Sequence, residues 1–105
     1  MSGYVLLPEA FNDLDEIRDF IAQENIDAAD RVLDEIHRAI QSLAKNPGLG
    51  HQRPDLASRP LHFWLVYSYL IAYLPERPLV IIGVLHGRRN PKILSAILNS
   101  RESMR

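Results

Sequence analysis

The sequence predicts an α+β domain in which a strand and a helical hairpin precede a mostly antiparallel sheet. Residues 8–45 repeat apolar side chains at intervals of three and four, as amphipathic helices do. After residue 60 the pattern changes to three apolar runs rich in β-branched and aromatic residues, which is typical of strands. A chain of 105 residues suits one domain, expected over 1–105. The expected order is β-α-α-β-β-β, followed by a short C-terminal helix.

The first half of the chain predicts one strand and two helices. The apolar run "YVLL" at 4–7 is expected to form the strand. Pro8 suits the first position of a helix, because no N–H is needed there, and we expect this helix near 9–24. A second helix is expected near 28–45. The short connection makes the two helices an antiparallel hairpin.

The second half predicts three strands and a closing helix. The strands are expected near 61–66, 69–74 and 79–86. The "PERP" sequence indicates a turn between the last two strands, which makes them antiparallel neighbours. The join at Tyr67-Ser68 is a weaker turn signal, since it contains no Gly, Asn or Asp. Asn90-Pro91 before an apolar stretch predicts one short helix at the end.

The predicted strands carry apolar side chains on both faces. In the first of them, Phe63 points to one face, and Trp64 and Val66 point to the other. The hairpin covers one face only, so at least one large aromatic side chain faces away from it. The closing helix covers part of the second face. The rest is hidden by the small twisted sheet itself or covered by a bound partner.

The chain's net charge of −1 conceals an asymmetry between its halves. Residues 1–45 hold ten acidic and four basic side chains, for a charge of −6, whereas residues 46–105 hold three acidic and eight basic ones, for +5. This asymmetry suggests an anionic partner for the second half, although acidic helices followed by basic loops explain it equally well.

Several kinds of site are excluded by composition and spacing. There is no cysteine, so disulfides and thiolate metal sites are excluded. The four histidines lack metal-ligand spacing, and there is no phosphate-binding glycine loop or nucleophile elbow. We therefore expect no metal and no small-molecule cofactor. The first residues lack the basic region of a signal peptide, and no apolar segment is long enough to span a membrane, so we expect a cytoplasmic protein without membrane contact.

Cationic side chains gather around the predicted strand ends, and we call this set the basic patch. Its members are Arg53, Arg59, His86, Arg88, Arg89 and Lys92. If these strand ends meet at one edge of the sheet, the patch converges there. Arginine binds phosphate bidentately, so nucleic acid or an acidic protein segment would suit it. The alternative is that the arginines serve only solubility.

Four stretches occur in order along the chain. The first helix carries an "ALxDLxEIxxFI" pattern, represented by Ala10, Asp13, Leu14, Glu16, Ile17, Phe20 and Ile21. "AADRVLDEIHRAIQSLAKNPGLG" follows at 28–50, then "YLIAY" at 69–73 and "VLHGRRN" at 84–90. Together, over roughly residues 4–98, they resemble the RelE/ParE superfamily of type II toxin–antitoxin toxins, on its ParE-like side.

The resemblance implies a small toxin that is inactive while a neighbouring-gene antitoxin, ParD-like in type, binds it. The antitoxin's flexible tail typically wraps the sheet and the hairpin, so we expect Phe63, Trp64 and Val66 to contact it. ParE-like toxins poison DNA gyrase and are not themselves catalysts. The resemblance therefore implies gyrase as the target, no catalytic residue, and a basic patch that contacts the target or the antitoxin.

RelE-like relatives are instead ribosome-dependent mRNA endonucleases, which is the alternative. Their cleavage uses basic side chains with an acid or base, often a tyrosine near the C-terminus. This sequence has no tyrosine after Tyr73 and only two lysines, so it departs from that pattern. His86 as general acid, with Arg59 and Arg88 stabilising phosphorane charge, is the catalytic set this alternative would need. We favour gyrase poisoning.

Overall fold

The computed structural model describes residues 3–57 and 61–103 and confirms the α+β class. Its elements are β1 (Tyr4–Leu6), α1 (Pro8–Ala22), α2 (Ile26–Lys45), a 3-10 turn (Pro47–Leu49), β2 (His51–Gln52), β3 (His62–Val66), β4 (Tyr69–Leu74), β5 (Leu79–His86) and α3 (Pro91–Ser103). The bounds of β4 and β5 are those predicted, and the predicted helix ends differ by at most two residues. Only the 3-10 turn and the two-residue β2 were not expected.

The helices begin where local chemistry satisfies their first N–H groups. Asn25 caps α2, because its side-chain oxygen accepts a hydrogen bond from the backbone N–H of Ala28 at 2.9 Å. Asn90 does the same for α3, accepting from the N–H of Lys92 at 2.8 Å. The helix after Asn90-Pro91 runs for 13 residues, longer than the short helix predicted.

The sheet has five strands in the order β1-β5-β4-β3-β2. β1 runs parallel to β5, and the other pairs are antiparallel. Val66 pairs with Tyr69, and Tyr69 with His86, so β3 and β5 end, and β4 begins, at the same end of the sheet. We call this the Tyr69 end, and the residues of the basic patch that follow β5 leave the sheet there.

Both faces of the sheet are covered by the chain itself. The hairpin packs on one face, where Ile36 and Ile40 meet Ile71 and Ile81. On the second face Phe63 lies in a separate apolar cluster, which α3 and the segment around Leu56 cover. Members of this cluster besides Phe63 include Leu56, Ala57, Ile82, Leu94 and Leu98. Phe63 is only 2% exposed, so no partner is needed to cover it. The open part of this face lies at the Tyr69 end, where Leu65 is 59% exposed.

An ion pair connects α1 and α3 through β5. Arg101 of α3 donates two hydrogen bonds to Asp13 of α1, at 2.6 and 2.9 Å, and their side chains are 14% and 8% exposed. Asp13 also accepts from the backbone N–H of Val84 at 2.9 Å, and Arg101 donates to the carbonyl of Ile82 at 3.2 Å. The pair thus satisfies two backbone hydrogen-bonding groups of β5, the N–H of Val84 and the carbonyl of Ile82. A Cβ at Gly83 would displace Arg101 Nη1, so glycine accommodates the pair in its present geometry.

No helix in the described ranges is long and apolar enough to span a membrane.

Asp13→Asn is expected to lower the free energy of unfolding by about 3–5 kcal/mol, because it breaks a buried ion pair and leaves Arg101 without its counter-charge. Asp15→Asn, on the exposed side of α1, is the matched control and should change it by less than about 0.5 kcal/mol. Urea unfolding at neutral pH, followed by far-ultraviolet circular dichroism, measures both. Similar small losses in the two variants would contradict a structural role for the pair.

Candidate functional site

The Tyr69 end carries two grooves, one on each face of the sheet, and the basic patch is divided between them. His86 and Arg89 line the groove on the hairpin side, which we call the hairpin-face groove. Arg53 and Arg88 line the other, which we call the α3-face groove. Arg59 lies outside the described residues, and Lys92, in the first turn of α3, lines neither groove. The four patch residues that line a groove are therefore divided between the two faces of the sheet.

The hairpin-face groove has a volume of about 630 Å³ and a mixed charge. α1 contributes the carboxylates of Glu9 and Glu16 to one wall, while His86 and Arg89 contribute basic groups from the sheet end. The exposed ring of Phe20 adds an apolar rim. Apolar surface with charges of both signs suits an amphipathic protein segment better than a polyanion.

The α3-face groove has a volume of about 430 Å³ and is lined without any carboxylate among the described residues. Its cationic wall is formed by Arg53 and Arg88, with His51 beside them. Its apolar wall is formed by Leu65 and the exposed ring of Tyr67. Guanidinium groups next to exposed apolar and aromatic surface suit an anion that also carries a flat apolar group.

Arg53 is already held by a neighbouring carboxylate. Its Nε and Nη2 donate to the two oxygens of Asp55, at 3.0 and 2.8 Å. The hydrogen bond from Arg53 holds the pKa of the Asp55 carboxyl below its ordinary value, and the same hydrogen bond raises the pKa of Arg53. Both side chains are about half exposed, so solvent screens the pair and it can exchange partners.

The two described residues of the alternative catalytic set line different grooves. His86 lines the hairpin-face groove and Arg88 the α3-face groove, while Arg59 is outside the described residues. The Nδ1 atom of His86 accepts from the backbone N–H of Arg88 at 3.2 Å, and its ring meets that of Tyr69 edge-on at 5.4 Å between centroids. The contact to Arg88 is made by the backbone, so it does not direct the guanidinium and the imidazole to one phosphate.

The three residues predicted to contact an antitoxin are placed differently. Phe63 is 2% exposed in the second-face cluster and reaches only the wall of the α3-face groove, so it presents little surface to a partner. Trp64 and Val66 are half-buried at the margin of the hairpin face, on the outer part of the sheet. The ring of Trp64 stacks on His51 of β2, at 6.4 Å between centroids and an angle of 21°.

A buried tyrosine holds the segment that carries His51 and Arg53. The hydroxyl of Tyr73 donates to the carbonyl of Pro47 at 2.7 Å and accepts from the N–H of Gly50 at 2.9 Å. A Cβ at Gly50 would collide with that hydroxyl, so glycine permits this close approach. The two hydrogen bonds place β2 beside β3. Burial raises the pKa of the Tyr73 phenol, because the site disfavours the phenolate.

Tyr67 is the residue of this site that the sequence pattern did not single out. It occupies the two-residue turn between β3 and β4 with φ of 54°, the left-handed region that a bulky side chain rarely adopts. The available signal was a two-residue join between strongly apolar runs, with an aromatic residue where glycine is preferred.

No group of three or more histidine, aspartate or glutamate side chains within residues 3–57 and 61–103 is arranged to hold a metal ion.

Comparison with known families gives one match. A family model described as the ParE toxin of type II toxin-antitoxin systems, parDE, matches residues 4–91, most of the chain. The chain belongs to the ParE toxin family. It is therefore a type II toxin–antitoxin toxin, as the motifs indicated, and such systems imply an antitoxin partner. The matched range includes every strand of the described sheet and all residues lining the two grooves except Arg101. No curated protein matches the sequence significantly.

Tyr73→Phe is expected to lower the free energy of unfolding by about 1–3 kcal/mol, because the N–H of Gly50 and the carbonyl of Pro47 lose their buried partner. Tyr67→Phe, which removes a hydroxyl from an exposed ring, is the matched control and should leave stability nearly unchanged. Chemical denaturation at pH 7 distinguishes them.

The pH dependence gives a second readout of the same contact. The folded protein keeps the Tyr73 phenol neutral to a higher pH than the unfolded chain does, so this group's contribution to stability is complete below about pH 10 and is lost as the pH rises further. Tyr73→Phe should lack that part of the alkaline loss. An unchanged alkaline profile in the variant would contradict the raised pKa.

Proposed function

We propose that this toxin poisons DNA gyrase in the cytoplasm and that a cognate ParD-like antitoxin neutralises it by direct binding. Membership of the ParE family supports the proposal. The observation that carries it for this chain is the placement of Arg88 and Arg89, exposed directly after the last strand and without an ion pair among the described residues. Such free guanidinium groups are available to an anionic target.

The division of the basic patch favours gyrase poisoning over RNA cleavage. An RNase of the RelE type needs a proton donor and a charge-stabilising cation at one phosphate. In this toxin His86 and Arg88 line grooves on opposite faces, an arrangement that does not favour their acting on one phosphate. A binding surface has no such requirement, because its cations can contact separate parts of one large partner.

For the antitoxin we propose the hairpin face. Trp64, Val66 and Tyr69 form a half-buried apolar margin there, which continues into the hairpin-face groove. An amphipathic segment lying along it would cover apolar surface, while its acidic side chains meet His86 and Arg89. We do not include Phe63, because it is buried on the other side of the sheet.

Arg88→Gln and Arg89→Gln, made separately, are each expected to weaken inhibition of gyrase supercoiling about 10–100-fold, since a lost hydrogen bond to a charged group costs about 1.5–3 kcal/mol. Arg38→Gln is the matched control, because Arg38 is an exposed arginine of α2 that pairs, among the described residues, with Glu35 on the same helix surface. The titration of toxin against supercoiling activity measures the effect.

The same samples should leave ribosome-bound mRNA intact. Unfolding free energies of all three variants should stay within about 0.5 kcal/mol of the parent, which separates lost contact from lost folding. Unchanged gyrase inhibition in both groove variants would contradict the target-contact role. Cleavage of mRNA that disappears in His86→Ala would instead establish the endonuclease.

Val66→Glu is expected to weaken antitoxin binding at least about tenfold, because it places a carboxylate in the apolar margin that an acidic antitoxin covers. Val5→Glu is the control: Val5 is exposed on β1, at the opposite edge of the sheet. Isothermal titration calorimetry with the purified antitoxin gives both affinities, and Trp64, the only tryptophan, gives a fluorescence signal. Equal affinities, with unchanged Trp64 emission, would place the antitoxin elsewhere.

A further inference from the structure

The α3-face groove combines cations with an exposed aromatic ring that is held in place. Arg53 and Arg88 provide guanidinium groups, and no carboxylate of the described residues lines the groove. The ring of Tyr67 is 60% exposed at its rim. This combination differs from the hairpin-face groove, which carries carboxylates from α1.

The conformation of Tyr67 is energetically unfavourable and yet structurally enforced. With φ of 54° it occupies a turn position at which glycine would be unstrained. The pairing of Val66 with Tyr69 closes the turn, and the N–H of Gly87 donates to the carbonyl of Ser68 at 2.7 Å. Backbone strain of this kind is concentrated at functional sites. The side chain belongs to neither apolar cluster among the described residues and its ring is 60% exposed, so burial of the ring does not offset the strain.

The fork of Arg53 shows which chemistry the cationic wall accepts. It holds the two oxygens of Asp55 bidentately, at 3.0 and 2.8 Å, and a phosphate presents two oxygens in the same arrangement. Because the pair is exposed to solvent, Asp55 acts as an exchangeable occupant of the fork. Arg88 has no such occupant among the described residues.

We propose that the α3-face groove binds single-stranded nucleic acid, with a phosphate at Arg88 and Arg53 and an unstacked base on the ring of Tyr67. Proteins that bind single strands without sequence preference combine these two features. An acidic peptide would use the cations but would leave the strained aromatic ring without a role. The inference rests on the proposed function, since gyrase opens DNA and provides such a strand.

The test is fluorescence anisotropy of a labelled single-stranded DNA oligonucleotide of about 12 nucleotides, titrated with the full chain. Tyr67→Gly should weaken binding about tenfold while it raises the denaturation midpoint, because glycine relieves the strained turn. Loss of binding with a gain of stability is a result that damage to the fold cannot produce. Unchanged affinity in Tyr67→Gly would overturn the stacking role and the proposal with it.

Two charge variants examine the cationic wall. Arg88→Gln should weaken binding and reduce the slope of log affinity against log salt by about 0.7, the value for one phosphate contact on a single strand. Asp55→Asn should strengthen binding severalfold, because it frees the fork of Arg53. Arg38→Gln is the control and should change neither affinity nor slope. Equal effects of Arg88→Gln and Arg38→Gln would reduce the interaction to nonspecific attraction and overturn the proposal.

Competitors identify the ligand. An unlabelled RNA of the same sequence offers the same phosphate and base as the unlabelled DNA, so competition by either one supports binding of a single strand in the groove. The ratio of their inhibition constants shows whether DNA or RNA is the preferred ligand. Duplex DNA that competes equally well, or a polyglutamate peptide that competes better, would overturn the proposal. Gyrase supercoiling is measured on the same samples. Gyrase inhibition without oligonucleotide binding would overturn this inference and leave the proposed function intact. Oligonucleotide binding without gyrase inhibition would overturn the proposed function and leave the nucleic-acid groove intact.

Discussion

The ion pair between Asp13 and Arg101 holds together parts of the chain that are 88 residues apart and lie on opposite faces of the sheet. β1 pairs with β5 only at Leu79–Ile81, so beyond that point β5 has no strand on that side. Asp13 accepts from the N–H of Val84, and Arg101 donates to the carbonyl of Ile82, which satisfies this open edge. A buried pair stabilises only when such additional hydrogen bonds offset its desolvation. The pair therefore positions α1 and α3 on β5 and leaves the Tyr69 end uncovered on both faces.

The two grooves are a direct consequence of that arrangement. The strands extend past the cover on each face, and their side chains alternate between faces. Tyr69, Val84 and His86 line the hairpin-face groove, whereas Phe63 and Leu70 line the α3-face groove. The neighbours Arg88 and Arg89 diverge in the same way, each to a different groove. One pair of adjacent arginines thus lines two surfaces with different chemistry, mixed in charge on one side and cationic with an aromatic rim on the other.

The sequence predicts the elements of this fold far better than it predicts the site. β4 and β5 are found at the predicted bounds because their apolar runs end at turn residues. β2 has no apolar pattern, because it consists of two exposed residues, and the hydrogen bonds of Tyr73 to the segment before it are not readable from the sequence. The partnership of Asp13 with Arg101 depends on the folded arrangement of α1 and α3. The position of the basic residues near strand ends is readable from the sequence, whereas the direction of each side chain beyond the strand end is not, so the sequence does not show which groove each residue lines.

The separation of the grooves constrains how an antitoxin would neutralise this toxin. A segment on the hairpin face covers Arg89 and His86 but leaves Arg88 and Tyr67 open on the other side of the sheet. An antitoxin bound to that face alone would therefore neutralise the toxin only if the target has to contact both faces of the Tyr69 end. If gyrase is the target, as proposed, it would have to contact the sheet end of this 12.0 kDa toxin from both faces. An antitoxin on one face would exclude it sterically without competing for the α3-face groove. Under this arrangement the toxin's contact with a nucleic-acid strand and its contact with gyrase are separable, because only the second needs both faces free.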